Sequence, residues 1–511
     1  MTQQNQAETS YDAVIVGAGL GGLSAAASLA VGGRRVLVVE KNAKPGGVAN
    51  QYTLGDYTFD WALHQMTGVG DYGPTGAILR ELGVADKIQF KPVDPFMVID
   101  MPDRSYNIRG EWESMRRELT EAFPSEADGL ARLLSKVDRM RQNALLGQRL
   151  LYRKDPTITH LIRDQVQSSK YASFPYSVAK MFLWDSLKTA DKLLGRYLKD
   201  DRLFSVLTAP WPYLGLPPSE ISGLMYAFFV AGHGIERQYW PMGGSATVTN
   251  ALVEAIEERN GQVLLGTPAR KVMTRRGRVT GVELPDGQQV QAPLVVSNIA
   301  PRHLYEDLME PGAAPQRFMR KLKRMPLSVG PFLVHLGLDY DVSQNGLPNF
   351  EHLIYDTYDH DEVYRSMCDG GTKFVSAYSP VTLDRSLAPE GHSTLILTYM
   401  LPWQTTRDWR EHKDELADEL IALVERKVPD LREHIVEKRI ITPEDLRGHN
   451  NSTDGAMYGW SLRPDQVIIK RLPPKSPIKG LYHVGHWSQP GPGLNVAIMS
   501  GWMLAQMIGS R

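Results

Sequence analysis

Cysteine is almost absent from this sequence of 511 residues. The one copy, Cys368, leaves no internal disulfide and no dithiol relay within the chain. That usage fits a reducing compartment, and a cytoplasmic location is expected. An excess of charge is missing too: 57 Lys and Arg stand against 58 Asp and Glu, a formal net charge of −1. Without a global field, composition makes no case for nucleic acid or acidic ligands. No window reaches the ~18 uninterrupted apolar residues of a membrane-spanning helix. The strongest apolar stretch, "ISGLMYAFFVAG" (Ile221 to Gly232), reads as a buried helix or as one lying on a membrane surface. The opening "MTQQNQAETS" has neither the basic nor the apolar region of a signal peptide. Internal repeats, low-complexity linkers and a GxSxG nucleophile turn are also lacking. What remains, 42% hydrophobic and 23% charged residues, is the composition of a soluble globular protein of two to four domains.

Glycine is plentiful where it matters. "YDAVIVGAGLGGLSAAASLAVGGRRVLVVE" (Tyr11 to Glu40) reads as a buried strand, a helix of small residues and a second buried strand. Its GxGxxG stands at the first strand-to-helix turn. Gly17 serves the tight turn, Gly19 the approach of a pyrophosphate to the backbone, and Gly22 the packing of helix on strand. The helix start then offers unpaired N–H groups to phosphates. Glu40 ends the second strand, where an acid accepts hydrogen bonds from a ribose and disfavours a 2′-phosphate, hence NADP. Lys41 beside it is assigned to the same cofactor site. Gly46 and Gly47 follow, either as a second close approach to a long cofactor or as an ordinary Pro-Gly turn. This unit alone leaves NAD and FAD open.

Three blocks together resemble the phytoene desaturase family of flavoproteins, which includes carotenoid isomerases and retinol saturases. They are Gly17 to Gly47 with the following "GDYTFDWALH", Tyr239 to Asn298, and "GLYHVGHWSQPGPGLNVAIMSGWMLAQMI" (Gly480 to Ile508). The resemblance implies FAD, with the backbone near Val272 on its adenine side and Gly485 and Val496 at the flavin and ribityl chain. Pro492 and Asn495 depart from the family's usual glycine-rich turn. The middle block also reads directly from its residues. An amphipathic helix ends at Gly261, and "RKVMTRRGRVTGVELPDGQQVQAPLVVSN" follows as a β-meander.

The expected fold is α/β. A Rossmann-type FAD-binding domain is assembled from residues 1–75, 238–300 and 475–511. An α+β substrate-binding domain with a helical cap comes from 76–237, mostly helical, and 301–474, where strand patterns surround the charged helix "RDWREHKDELADELIALVERKV". Within "YTFDWALHQMTG", Phe59, Asp60 and His64 match the saturase-like form. His64 is the catalytic candidate for proton transfer, against the alternative of a buried histidine bonded to backbone. Phe59, Trp61, Met66 and the segment Trp211 to Phe229 are candidates to line a dry channel, or ordinary core. "HVGH" (His483, His486) has too few ligands for a metal site. One fingerprint, without a second, predicts no dedicated NAD(P)H site and leaves the electron acceptor open. The implied activity is redox chemistry on carbon–carbon bonds of a long apolar polyene or isoprenoid: desaturation, saturation or cis–trans isomerisation. A lipophilic substrate and the stretch Leu203 to Gly232 suggest peripheral membrane contact. A flavin amine oxidase and a non-catalytic flavin-binding partner protein stay open as rivals.

Overall fold

The run AVIV at Ala13–Val16 has no polar side to show to water, so it forms a strand (β1) only where both faces are covered. In the computed structural model, which describes residues 9–61, 64–70, 73–151, 184–235, 237–467 and 470–509, β1 is the centre of a five-stranded parallel sheet. Its neighbours are β2 (Val36–Val39) and β14 (Leu294–Ser297), with β10 (Gln262–Leu264) and β20 (Leu481–His483) at the edges. Residues 1–8, on which the reading of the N-terminal segment rests, lie outside the described residues.

The helix after β1, α1 (Leu20–Val31), is built of small residues because two elements press on it. On the sheet side, a Cβ at Gly22 would sit 2.2 Å from the carbonyl oxygen of Gly17. On the other side lies the last helix of the chain, Leu494–Gly509, where a Cβ at Gly501 would sit 2.2 Å from the oxygen of Gly21. Ser24 Oγ donates to Ile498 O at 2.7 Å across that contact.

The expected meander is three-stranded: β11 (Lys271–Arg275), β12 (Arg278–Glu283) and β13 (Gln289–Gln291), antiparallel throughout. The final apolar run of the same stretch, β14, leaves the meander and enters the parallel sheet between β1 and β20, where its consecutive valines are covered on both faces.

A second, seven-stranded sheet has the order β19-β15-β18-β17-β16-β7-β8. Five strands come from the later part of the chain: β15 (Gly330–Leu338), β16 (Glu351–Tyr355), β17 (Phe374–Tyr378), β18 (Ser393–Leu401) and β19 (Ile435–Ile441). The other two, β7 (Met97–Asp100) and β8 (Ser105–Ile108), fall in a stretch expected to be mostly helical; β7 pairs in parallel with β16. Helices over Trp112–Ala122 and α2 (Ala127–Leu151) follow the expected periodicity. So does α3 (Gly223–Ile235), whose Leu224, Tyr226, Ala227 and Ala231 are buried. Two short assemblies complete the frame: the hairpin β3 (Gln51–Leu54) and β4 (Tyr57–Asp60), and β5 (Met66–Thr67), β9 (Gln238–Pro241) and β6 (Phe90–Pro92) in that order. α4 (Ser245–Glu257) packs beside α1, and α5 (Lys413–Glu425) covers the large sheet. The final helix, Leu494–Gly509, is α6. Among the described residues, no helix is long and apolar enough to cross a membrane.

Candidate functional site

A cavity of about 940 Å³ runs from the β1–α1 turn to the face of the large sheet. It lies at the upper end of the volumes usual for ligand sites. Gly17, Gly19, Glu40, Lys41, Gly46, Gly47, Gly485 and Val496 all stand in its wall. Gly17, with φ of +97°, makes the turn that only glycine adopts without strain. Gly19 is the N-cap of α1, which has no side-chain cap and no acidic residue in its first turn. The N–H groups of that first turn have no acceptor within their own helix, and the turn forms part of the cavity wall. Glu40 is buried, with Oε2 accepting from Ala18 N at 2.8 Å and Oε1 from Asn42 N at 2.9 Å. Lys41 Nζ donates to Gly448 O and to Asn451 Oδ1, at 2.8 and 3.0 Å. Burial lowers its pKa, against the raising effect of Glu40. Gly46 N donates to Ala18 O at 2.8 Å, and Gly47 O accepts from His449 Nε2 at 2.9 Å.

One residue that sequence reasoning missed organises this end. Asn298, directly after β14, lies where Gly19, Gly21 and Gly485 converge: a Cβ at each would stand 2.5, 2.7 and 2.3 Å from its side-chain amide. Two of the expected cofactor residues are elsewhere. Gly22 is absent from the wall because it is spent on the contact of α1 with the Gly17 carbonyl. Val272 is buried in β11 with its N–H donated to Leu308 O at 2.7 Å, and Pro268, Ala269 and Leu308 form the wall there instead.

At the opposite end His64 stands in the wall on a network of its own. Its Nδ1 lies 3.0 Å from Glu351 Oε1, which also accepts from the hydroxyls of Tyr213 and Ser376. Glu351 Oε2 accepts from Gln65 Nε2 at 3.3 Å. His64 Nε2 is 3.4 Å from Thr398 Oγ1, and the ring packs on Tyr378 and Tyr213. Glu351 is 0% exposed. Burial alone would raise its pKa, but His64 and the hydroxyls of Ser376 and Tyr213 outweigh that and hold it below the ordinary carboxylate value. The Tyr213 hydroxyl moves the other way, raised by burial and then by the Glu351 charge. With the carboxylate ionised, the Nδ1 proton belongs between ring and carboxylate, and Nε2 is left for chemistry.

Several expected channel residues are core instead. Phe59 and Met66 are buried away from the cavity, Trp61 stacks on His449, and Trp211 packs under His360 and Tyr364. From the same segments Tyr213, Leu214, Met225, Phe228 and Phe229 do line it. Ala62 and Leu63 lie outside the described residues. Asp60 caps α4, accepting from Ser245 N at 2.9 Å and from its hydroxyl, and burial raises its pKa to about 6. His483 bonds Tyr305, whereas His486 is in the cavity wall.

An uncapped helix start, an acid just beyond the second strand and glycines from two distant segments around one amide meet at one end of the cavity. At the far end the part-buried His64 stands on the fully buried carboxylate of Glu351. The chain belongs to the flavin containing amine oxidoreductase family, which matches residues 20–508. Over 98% of its length it is 27% identical to prolycopene isomerase 1, chloroplastic, of an Oncidium hybrid cultivar, covering 84% of that protein. It is also 27% identical to a zeta-carotene-forming phytoene desaturase of Myxococcus xanthus, over 97% of this chain and 93% of the relative. In fold it is similar to putrescine oxidase bound to putrescine, with a TM-score of 0.63 at 15% identity, over 98% and 99% of the two chains. An oxidoreductase from Methanosarcina mazei gives a TM-score of 0.64 at 14% identity, over 96% and 99%.

Proposed function

We propose that the protein is an FAD-dependent oxidoreductase acting on carbon–carbon bonds of a long apolar polyene or isoprenoid, by desaturation, saturation or cis–trans isomerisation. The observation that carries this reading is the cavity itself: a glycine cradle at one end and His64 on Glu351 at the other, joined by Met225, Phe228, Phe229, Leu333 and Met400. The names of the carotenoid-pathway relatives support it. A Rossmann-type domain with a helical cap over the substrate end fits the same arrangement. Gly17, Gly19 and the uncapped start of α1 would hold the pyrophosphate and Glu40 a ribose, with Lys41, Gly46, Gly47, Gly485 and Val496 around the remainder. FAD supplies the two-electron chemistry. His64 Nε2 gives or takes the accompanying proton, while Glu351 holds the ring and the apolar wall excludes water. The amine oxidase alternative is weaker, because Glu351 already accepts from four side chains and has little capacity left for an ammonium.

A single fingerprint supports a flavin recycled by oxygen, a quinone or the substrate, with no dedicated NAD(P)H site. A lipid-soluble substrate supports contact of a cytoplasmic protein with a bilayer. The stretch 203–232 spends most of its large apolar side chains inside the molecule. Trp184 and Leu187, 68% and 54% exposed beside α3, are better placed for such contact. Anaerobic incubation of the flavin-loaded protein with phytoene and with prolycopene, followed by chromatography, tests the function. A product changed in unsaturation or geometry is expected. Oxidation of putrescine without any polyene turnover, or rapid bleaching of the flavin by NADH, would overturn the corresponding part.

A further inference from the structure

The helix Gln316–Arg324, QRFMRKLKR, has two unlike faces. Leu322 is buried, and Phe318 meets the ring of Tyr305 edge-on at 5.0 Å, so this face holds the helix to the protein. Arg317, Arg320, Lys321 and Arg324 recur at helical spacing, which places them on one stripe. All four are exposed, and together with Lys470 they surround an open basin of about 580 Å³. One acid, Asp465, stands in that basin. Lys323, off the stripe, is paired with Glu306, whereas the four cations of the stripe form no ion pair and no side-chain hydrogen bond among the described residues. The helix dipole accounts for cations in the last turn. Arg317, however, stands in the first turn, where a cation is disfavoured and no acid offsets it. Like charges three and four residues apart also repel each other. Such a stripe is unfavourable by itself and is answered by a surface of opposite charge.

The position of the stripe says which surface that is. Just past the helix, Leu327 bridges to Trp460, Ser328 N donates to Gly459 O at 2.8 Å, and Ser328 Oγ accepts from Tyr458 N at 2.9 Å. Met457 and Tyr458 stand in the wall of the cavity, so the stripe lies one short step from the chamber read above as the polyene site. The segment that carries Asp465 also fastens the basin to the region of Trp184 and Leu187: Leu462 O accepts from Ser222 N at 2.9 Å, and Ser222 bridges to Thr189. Nucleic acid calls for a broader positive field than one helix supplies in a chain of net charge −1. We infer that the stripe of Arg317, Arg320, Lys321 and Arg324 docks the protein on the anionic headgroups of a bilayer. This rests on the bilayer contact proposed above and gives it a lipid charge and a second surface. Either contact alone gives marginal attachment; apolar insertion and headgroup pairing together make it stable.

The test is co-sedimentation of the flavin-loaded protein with two kinds of vesicle: phosphatidylcholine alone, and phosphatidylcholine with phosphatidylglycerol in equal parts. Binding to the anionic vesicles should be about tenfold or more tighter at low salt. At about 0.5 M sodium chloride the two should come within about threefold of each other, since the charges are then screened. Arg317→Gln, Arg320→Gln, Lys321→Gln and Arg324→Gln combined should erase the preference at low salt, with flavin content and melting temperature unchanged. Arg320→Gln with Arg324→Gln serves if the fourfold variant does not fold. Arg275→Gln, Arg276→Gln and Arg278→Gln combined, at the exposed turn between β11 and β12, should leave the preference intact. Equal binding to both vesicles at low salt overturns the inference without recourse to a variant and leaves the apolar contact standing. A preference lost equally in the two sets of variants also overturns it, because overall charge and not the stripe then sets the binding. So does tighter binding to a duplex oligonucleotide than to the anionic vesicles. Failure to bind any vesicle removes the bilayer from the wider proposal as well.

Discussion

His64 can exchange a proton productively only if one ring nitrogen is committed, and Glu351 commits it. His64→Ala should keep flavin and fold but lose turnover by the ~10² to 10⁴-fold typical of a lost general acid or base. Glu351→Gln keeps the shape but no longer fixes the ring through a carboxylate, so polyene turnover should fall while flavin content stays unchanged, read by steady-state assay against flavin absorbance. The same carboxylate shapes stability. Its folded pKa is depressed, so its contribution is present above the ordinary value of 4.5 and is lost as pH falls through the lower folded value. Asp60 has the opposite sign. With a folded pKa of about 6 against 3.8, the native state holds the extra proton between those values, and stability declines as pH rises through that window. The decline amounts to ~3 kcal/mol for a shift of this order. Urea unfolding from pH 3.5 to 7 should show it, and Asp60→Asn should flatten it. Asp60 was legible as part of a motif but not as the cap of a distant helix. Glu351 was not legible at all: it is 287 residues from His64, and a lone acid within a strand carries no local spacing that points to its partner.

At the scale of elements, α1 and α6 approach each other backbone to backbone. Gly501→Ala would drive a methyl into the backbone of α1, at 2.2 Å from Gly21 O and 2.6 Å from Ala25 N. A cost of ~3 kcal/mol, the upper part of the usual overpacking range, is expected, together with weaker flavin retention, since both helices border the cradle. Gly33→Ala is the control. Its φ is +78° but nothing lies within 4 Å, so it should cost only the ~1 kcal/mol of a left-handed side chain. Thermal unfolding of the two variants, with flavin absorbance recorded, separates packing from backbone strain. The β1–α1–β2 unit was readable because its signals are local: a covered strand, a glycine turn, a helix of small residues. β14 was not separable from the meander, because an apolar run does not say which sheet will cover it. β7 was missed for a related reason, its parallel partner β16 being some 250 residues away. The charged stretch from Arg407 carries helical composition, yet α5 begins at Lys413. Before that point Asp408 Oδ1 accepts from Arg410 N, and the Arg410 guanidinium lies over Trp403 and Trp409, which holds the chain in a turn.

Across the whole molecule, segments from the start, middle and end of the chain meet around one cradle, and a ligand bound there should act as a clamp. Melting temperature should rise with FAD concentration, by the equivalent of ~4 kcal/mol at a thousandfold excess over Kd. A melting curve indifferent to added FAD would contradict the assignment of the cradle. Flotation with liposomes tests the surface: the protein should rise with the vesicles, and Trp184→Asp with Leu187→Asp should return it to the soluble fraction. Protein that stays wholly soluble from the outset would remove the bilayer from the proposal.

The hydrogen bond between Ser24 and Ile498 joins residues 474 positions apart. A ribosome adding ~5–20 residues per second makes β1 and α1 roughly 25 to 95 seconds before α6 exists. Throughout that interval the apolar back of α1 is a sticky surface inside the cell, in need of a chaperone or of rapid burial elsewhere. A flavin held by both helices can be locked in only after α6 has been made, so its supply acts on chains that already carry that helix rather than on shorter ones.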